Sequence, residues 1–277
     1  MTGTEPTVRP IAPESSRHTT HRTLRVLRTA RITPRMARIT LGGEELGGYP
    51  RFGPDQRIKL FFPVAGQRRP AMPRASSGGP VWPPGEPRPV IRSYTVRRFD
   101  TDAGELDVDF VLHGEHGPAA DWAARAEPGD WVGVSDPGGR YRPDPAAGAH
   151  LVIGDESALP AIATVLDALR EFDGPTEVYV EVADAAEEQP LATTTTTRVH
   201  WLHRGDRPPG HPLLEAIRAA ALPDGVEPGS CQAWLSAEAT AVRDIRAHLL
   251  DERAIPRRQV YATGYWRATR PAAGHRR

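Results

Sequence analysis

Arg92-Ser93-Tyr94-Thr95 sets a fixed cation, an aromatic face and two hydroxyls on four successive residues. As a strand, the tetrad sends Arg92 and Tyr94 to one face and Ser93 and Thr95 to the other. A guanidinium pairs bidentately with a phosphate, and a tyrosine ring offers a flat apolar surface with a hydrogen-bonding tip. The combination suits a nucleotide-linked aromatic cofactor. An exposed strand with one Arg and one Tyr is also common, so the rest of the chain has to decide.

Upstream, Leu24-Arg25-Val26-Leu27, 36–41 and 57–62 are short apolar or alternating runs separated by Thr-Pro and Gly-Gly, as in antiparallel strands. Residues 63–89 are crowded with Pro and Gly and lack any period, so they read as a mobile flap or an insertion. Strands resume at 90–99 and 106–113. In the latter, Leu106, Val108, Phe110 and Leu112 share one face, while Asp107, Asp109, Val111 and His113 share a face that needs a partner other than core. A short helix with Pro118 in its first turn and a strand at 131–135 complete six or so strands and one helix, a small closed antiparallel barrel.

After Pro143 the pattern changes. Leu151-Val152-Ile153 runs into Gly154-Asp155-Glu156-Ser157, and Leu159, Ile162, Leu166 and Leu169 then repeat at helical spacing. Further strands at 178–182, 199–202, 233–235 and 260–263, interleaved with helices near 213–220 and 240–250, signal a doubly wound parallel sheet. The expected organisation is a tail over 1–21, a barrel domain over 22–146, an α/β domain over 147–267 and a second tail over 268–277.

The chain has 277 residues, enough for two domains and a cleft between them. Its 35 basic and 35 acidic residues balance, so no global field draws it to nucleic acid or acidic lipid. Cys231 is the sole cysteine, which rules out an intrachain disulfide and a Cys-ligated iron-sulfur cluster. With no signal-peptide core and no run of eighteen apolar residues, a cytoplasmic protein without membrane insertion is expected.

The motifs narrow the chemistry. His113 beside Gly114, followed by Gly117-Pro118-Ala119 at a helix start, makes a local anion site, although a capped hairpin exit explains the same glycines. His113 with His116 and His200 with His203 lack a third ligand on a presenting element, so no metal site is assigned. The 154–157 turn lies where a dinucleotide fingerprint belongs but has no glycine triplet. Asp155 and Glu156 would repel a pyrophosphate, so ribose or nicotinamide would sit there, or Asp155 or Ser157 simply caps the helix. Tyr261 to Arg267 closes with two adjacent aromatics and a cation at the carboxyl edge of the sheet, where ligands bind.

Six segments in this order resemble the siderophore-interacting proteins, FAD-containing ferric-siderophore reductases related to the ferredoxin reductases. They are Arg57-Ile58-Lys59-Leu60-Phe61-Phe62-Pro63, Arg92-Ser93-Tyr94-Thr95-Val96-Arg97, 109–122, 154–162, Trp201-Leu202-His203-Arg204 and Gly264-Tyr265-Trp266-Arg267. The resemblance implies a six-stranded Greek-key flavin barrel followed by a nicotinamide-binding domain. It further implies that Arg92 meets the FAD phosphates and that Ser93, Tyr94 and Thr95 border the flavin. Asp109, Phe110, Val111, His113, Gly117, Pro118 and Ala119 would complete that cradle, with Asp155, Glu156, Ser157 and Ala158 near the nicotinamide. A basic cluster of Lys59, Arg267 and Arg140 would meet the anionic siderophore. Two departures are Ala237, where the family often has glycine, and Ala268-Thr269, where it usually continues with basic or glycine residues.

The function so implied is electron transfer from NADPH or NADH, or from ferredoxin as an alternative donor, through FAD to a ferric siderophore, by a monomer. Two other readings stand beside it: a reductase component serving a protein partner, and an accessory flavoprotein that binds siderophore without turnover. The absent cluster counts against the first, and the intact nucleotide half against the second.

Overall fold

The computed structural model describes residues 21–51, 53–74, 76, 79–112, 117–139 and 141–268, so His113 and Arg140 lie outside the described residues. Seven antiparallel strands form the first sheet: β1 (His21–Thr33), β2 (Met36–Gly42), β3 (Arg57–Phe62), β4 (Val90–Thr95), β5 (Arg98–Asp100), β6 (Glu105–Val111) and β7 (Trp131–Ser135). Their order is β4-β3-β7-β1-β2-β6-β5. The expected six strands become seven because the stretch 90–99 bends at Val96-Arg97. This bend carries one chain from the β4 edge to the β5 edge, and Arg97 N–H donates to Asp107 O at 2.9 Å. The two edges are thus one bent strand, and the barrel closes through it.

Alternation sends Ile58, Leu60 and Phe62 into a core with Leu24, Ile39 and Val108, while Lys59 stays exposed on the outer face. The polar face of β6 finds its partners in arginines. Asp109 is held by Arg38 at 2.6 and 2.8 Å, Asp107 by Arg98 at 2.8 Å and Thr40 at 2.6 Å, and Glu105 by Arg28 and Arg98. Helix α1 (Pro118–Arg125), with Gly117 as its N-cap and Pro118 at the first turn, closes one end of the barrel by laying Trp122 on Phe62 and Phe110.

Segment 63–89 is packed on the barrel, with Pro70, Ala71 and Pro73 buried. Arg69 lies 3.6 Å over the Trp131 ring, and Trp82 meets Phe61 at 6.3 Å. Gly133 makes room for it, because a Cβ there would sit 2.2 Å from Met72 Sδ. Pro and Gly remove the periodicity of this stretch without removing its contacts.

The second sheet is parallel: β8 (Ala149–Asp155), β9 (Thr176–Val182), β10 (Thr197–His203), β11 (Cys231–Glu238) and β12 (Val260–Trp266), ordered β10-β9-β8-β11-β12. Helix α2 (Leu159–Ala168) covers one face, and α3 (His211–Ala219) and α4 (Ala239–Ala247) cover the other. The connection from β9 to β10 carries only a single 3-10 turn, Ala185–Glu187. The apolar face is filled there by Leu191 of the connection and by Ile32, Met36, Val111 and Tyr141 from the barrel side. Packing against the barrel replaces a helix.

Candidate active site

β3 and β4 pair with Leu60 opposite Arg92, Lys59 opposite Ser93, Ile58 opposite Tyr94 and Arg57 opposite Thr95. Arg92 therefore projects on the same side as buried Leu60 yet remains exposed, as a charge at the rim of an apolar face. Among the described residues its hydrogen bond is local, to Ile91 O at 2.9 Å, and no carboxylate pairs with it. Tyr94 lays its ring 4.4 Å from Phe110, and burial pushes its phenol up to about 12. The hydroxyls of Ser93, Tyr94 and Thr95 have no hydrogen-bond partner among the described residues, although Thr95 is only 5% exposed.

The structure divides the remaining cradle residues. Gly117 and Pro118 sit at the open start of α1, where a Cβ on Gly117 would meet nothing within 4 Å. Phe110 and Ala119 have buried side chains, which leaves only their backbone for a ligand. Both Asp109 oxygens are engaged by Arg38, so that carboxylate is not free to contact a cofactor. Val111 turns toward the second sheet's core.

At the carboxyl edge of the parallel sheet, Asp155 accepts from Ser157 N at 2.9 Å, Ser157 Oγ at 2.5 Å, Glu238 N at 2.8 Å and Trp266 Nε1 at 2.7 Å. Capping is thus what its side chain does. Burial first and Glu156 second raise its pKa to about 7, against the hydrogen bonds of Ser157 and Trp266. Glu156 is clamped by Arg204 at 2.8 and 2.9 Å, and Arg204 also reaches buried Glu181 at 3.2 Å. Arg204 neutralises the turn that sequence alone makes repulsive. Ala158 is buried under α2, and Ala237 packs in the core on the α3 and α4 side, so its methyl does not face the cleft.

Lys59 and Arg267 are exposed and have no side-chain hydrogen bond or ion pair among the described residues. His200 and His203 bond to Glu177 and Glu188, each at 2.7 Å. Among the described residues no group of three His, Cys, Asp or Glu is placed to hold a metal ion, and no helix is long and apolar enough to cross a membrane. Sequence reading missed Asp55 and Arg57, which face Tyr261 and Tyr265 across the cleft. A charged residue in a turn just before a strand carries no signal that its partner lies 210 residues away.

Arg92 of β4, with no ion pair among the described residues, is of the residue type that pairs bidentately with phosphate. A Greek-key barrel with that strand, joined to a parallel sheet with an open carboxyl edge, defines a two-domain flavin oxidoreductase. The model of a siderophore-interacting FAD-binding domain matches residues 25–141, and that of the siderophore-interacting protein matches 147–269. The chain belongs to the siderophore-interacting protein family, and FAD is the cofactor of its barrel.

Among its relatives, the ferric vibriobactin reductase ViuB of Vibrio cholerae is 34% identical, with 89% of each chain covered. The NADPH-dependent ferric-chelate reductase of Escherichia coli is 32% identical, covering 89% of this chain and 93% of that one. A siderophore utilization protein from T. fusca superposes with a TM-score of 0.76 at 36% identity, covering 94% of this chain and 98% of that one.

Proposed function

We propose that this chain passes electrons from NADPH or NADH through FAD to ferric iron held in a siderophore, releasing Fe(II) in the cytoplasm. The observation that carries the reading is Arg92, an exposed cation on the rim of β4 with no ion pair among the described residues, on the strand that pairs with the Lys59 strand. ViuB and the E. coli reductase, both similar over nearly their whole length, are named for ferric reduction.

Bound FAD supplies the chemistry that converts hydride transfer into single-electron transfers to Fe(III). The chain's own residues bind and orient. Arg92 pairs with phosphate, Ser93 and Thr95 offer hydroxyls to the flavin, and the open start of α1 at Gly117-Pro118 adds backbone donors, with His113 nearby in sequence. The Asp155-Glu156-Ser157-Ala158 turn, rigidified by Arg204, borders the nicotinamide. Lys59 and Arg267, with Arg140, draw the anionic chelate. Hard oxygen donors hold Fe(III) far better than Fe(II), so reduction alone loosens the iron and no protein ligand is needed.

Anaerobic flavin spectra test this. NADPH or NADH should bleach the flavin, and a ferric siderophore should restore it, with ferrous iron trapped by a chelating dye. Ferredoxin as donor is a second arm of the same assay, and sizing of the loaded protein tests the monomer. Bleached flavin that no ferric chelate reoxidises would overturn the reading in favour of a protein acceptor.

A further inference from the structure

Asp55 occupies the turn before β3 with a φ of 55°, and it is fully buried. Its Oδ1 accepts from Tyr265 OH at 2.6 Å and lies 3.8 Å from Arg57 Nε. Arg57 Nη2 in turn donates to Tyr261 OH at 2.7 Å. The Asp55 backbone N–H crosses to Thr164 Oγ1 of α2 at 3.1 Å. The side chain of one barrel residue thus reaches β12, and its backbone reaches α2. Gly139 permits the approach, because a Cβ there would lie 2.9 Å from Asp55 O.

The place of this contact matters. Across the ladder Arg57 faces Thr95, the last residue of the candidate flavin strand. On the other side, Tyr265 is the extra residue of a bulge between β11 and β12, since Ala237 pairs with Gly264 and Glu238 with Trp266. Bulges re-aim side chains near functional sites. Trp266 is fixed to Asp155, and Arg267 follows it. Asp55 Oδ2, Trp234 Nε1 and Ser236 Oγ are buried in this region with no partner at full hydrogen-bonding geometry among the described residues, so the Tyr265 to Asp55 bond is the well-formed tie here.

We infer that Asp55 is a positioning residue: through Tyr265 it holds the Tyr265-Trp266-Arg267 end of β12 against the strand pair that carries Thr95. The consequence for Arg267 rests on the proposed reading that this cation meets an anionic ferric chelate. The holding of β12 does not.

The groups facing Asp55 are Arg57 from β3, Trp234 from β11, Tyr261 and Tyr265 from β12, and Tyr141 from the segment after β7. Burial raises the carboxyl's pKa, opposed by Tyr265, Arg57, Tyr261 and Trp234. An ionised acceptor makes the stronger hydrogen bond, so the end of β12 is held best when Asp55 is charged and loosens as acid protonates it.

Amide hydrogen exchange over 260–268 in the FAD-loaded protein tests this with Tyr265→Phe and Asp55→Asn, since Asn tolerates positive φ. At neutral pH, exchange corrected for its intrinsic rate should rise about tenfold in both variants, the equivalent of one hydrogen bond. Wild type should approach the variants as pH falls, and Asp55→Asn should show no such trend. In turnover, the KM for an anionic ferric tris-catecholate should rise about fivefold with kcat kept, while that for a neutral ferric chelate stays unchanged. Unchanged exchange in both variants overturns the inference, whatever the activity. Altered exchange with equal KM values confines it to β12 and removes Arg267 from it. A wild type that reduces no ferric chelate overturns the proposed function, and exchange still decides the role of Asp55.

Discussion

Trp266 donates its indole N–H to Asp155 at 2.7 Å, tying the end of the last parallel strand to the end of the first. The strand between them, β11, contributes the Glu238 N–H to the same carboxylate at 2.8 Å. Three strand ends therefore converge on one buried acid.

Burial first and the Glu156 charge second push the Asp155 pKa up to about 7, above an unfolded value near 4, so the native state holds a proton between those limits that the unfolded state has lost. Stability from this group is greatest in acid, falls as pH rises between the two values, and is flat above about 7. Asp155→Asn removes that slope. It also turns an amide NH₂ toward two donors, so it should destabilise by about 1–3 kcal/mol at neutral pH. Urea unfolding from pH 4.5 to 8 checks both; an unchanged slope would mean that another group sets it.

Arg92→Ala should weaken FAD binding roughly tenfold to a hundredfold, about 1.5–3 kcal/mol for one charge-assisted phosphate contact. Riboflavin, which has no phosphate, should bind wild type and variant alike. Full FAD occupancy in the variant at low free cofactor would move the phosphates away from β4.

Much of this was legible in sequence because the relevant signals are local. Alternation in 57–62 and the apolar run 151–153 suffice for the strands, and Pro118 for the start of α1. What was not legible depends on distant partners. Asp109 looks like a free carboxylate until Arg38 is placed opposite it on β2, and Glu156 looks repulsive until Arg204 arrives from the end of β10.

The segment over 63–89 follows the same lesson and gives a prediction of its own. Excising 68–86 removes buried Pro70, Ala71 and Pro73 and uncovers Gly133 and the outer side of Phe61. The loss should be about 2–4 kcal/mol, comparable to truncating one or two large apolar side chains. A thermal melt that does not change on excision would show that the packing contributes nothing.

Lys59 and Arg267 are the last test, because they separate reduction of a small anionic chelate from electron delivery to a protein. Both cations are exposed and have no ion-pair partner among the described residues, a state they share with Arg92, Arg68 and Arg125. Lys59 stands opposite Ser93 on the strand pair that carries Arg92, and Arg267 leaves the sheet beside Trp266. Fields from such exposed charges are screened within about 8 Å at physiological ionic strength. Lys59→Ala and Arg267→Ala should each raise the KM for an anionic ferric chelate about threefold to tenfold at low salt, and the difference should shrink at about 0.5 M salt. Flavin reduction by NADPH should be nearly unchanged. A neutral ferric chelate should be reduced equally by all three proteins at either salt concentration. If the anionic chelate also fails to distinguish them, the cations are solvated surface charges, and a protein acceptor docking elsewhere becomes the better account of where the electrons go.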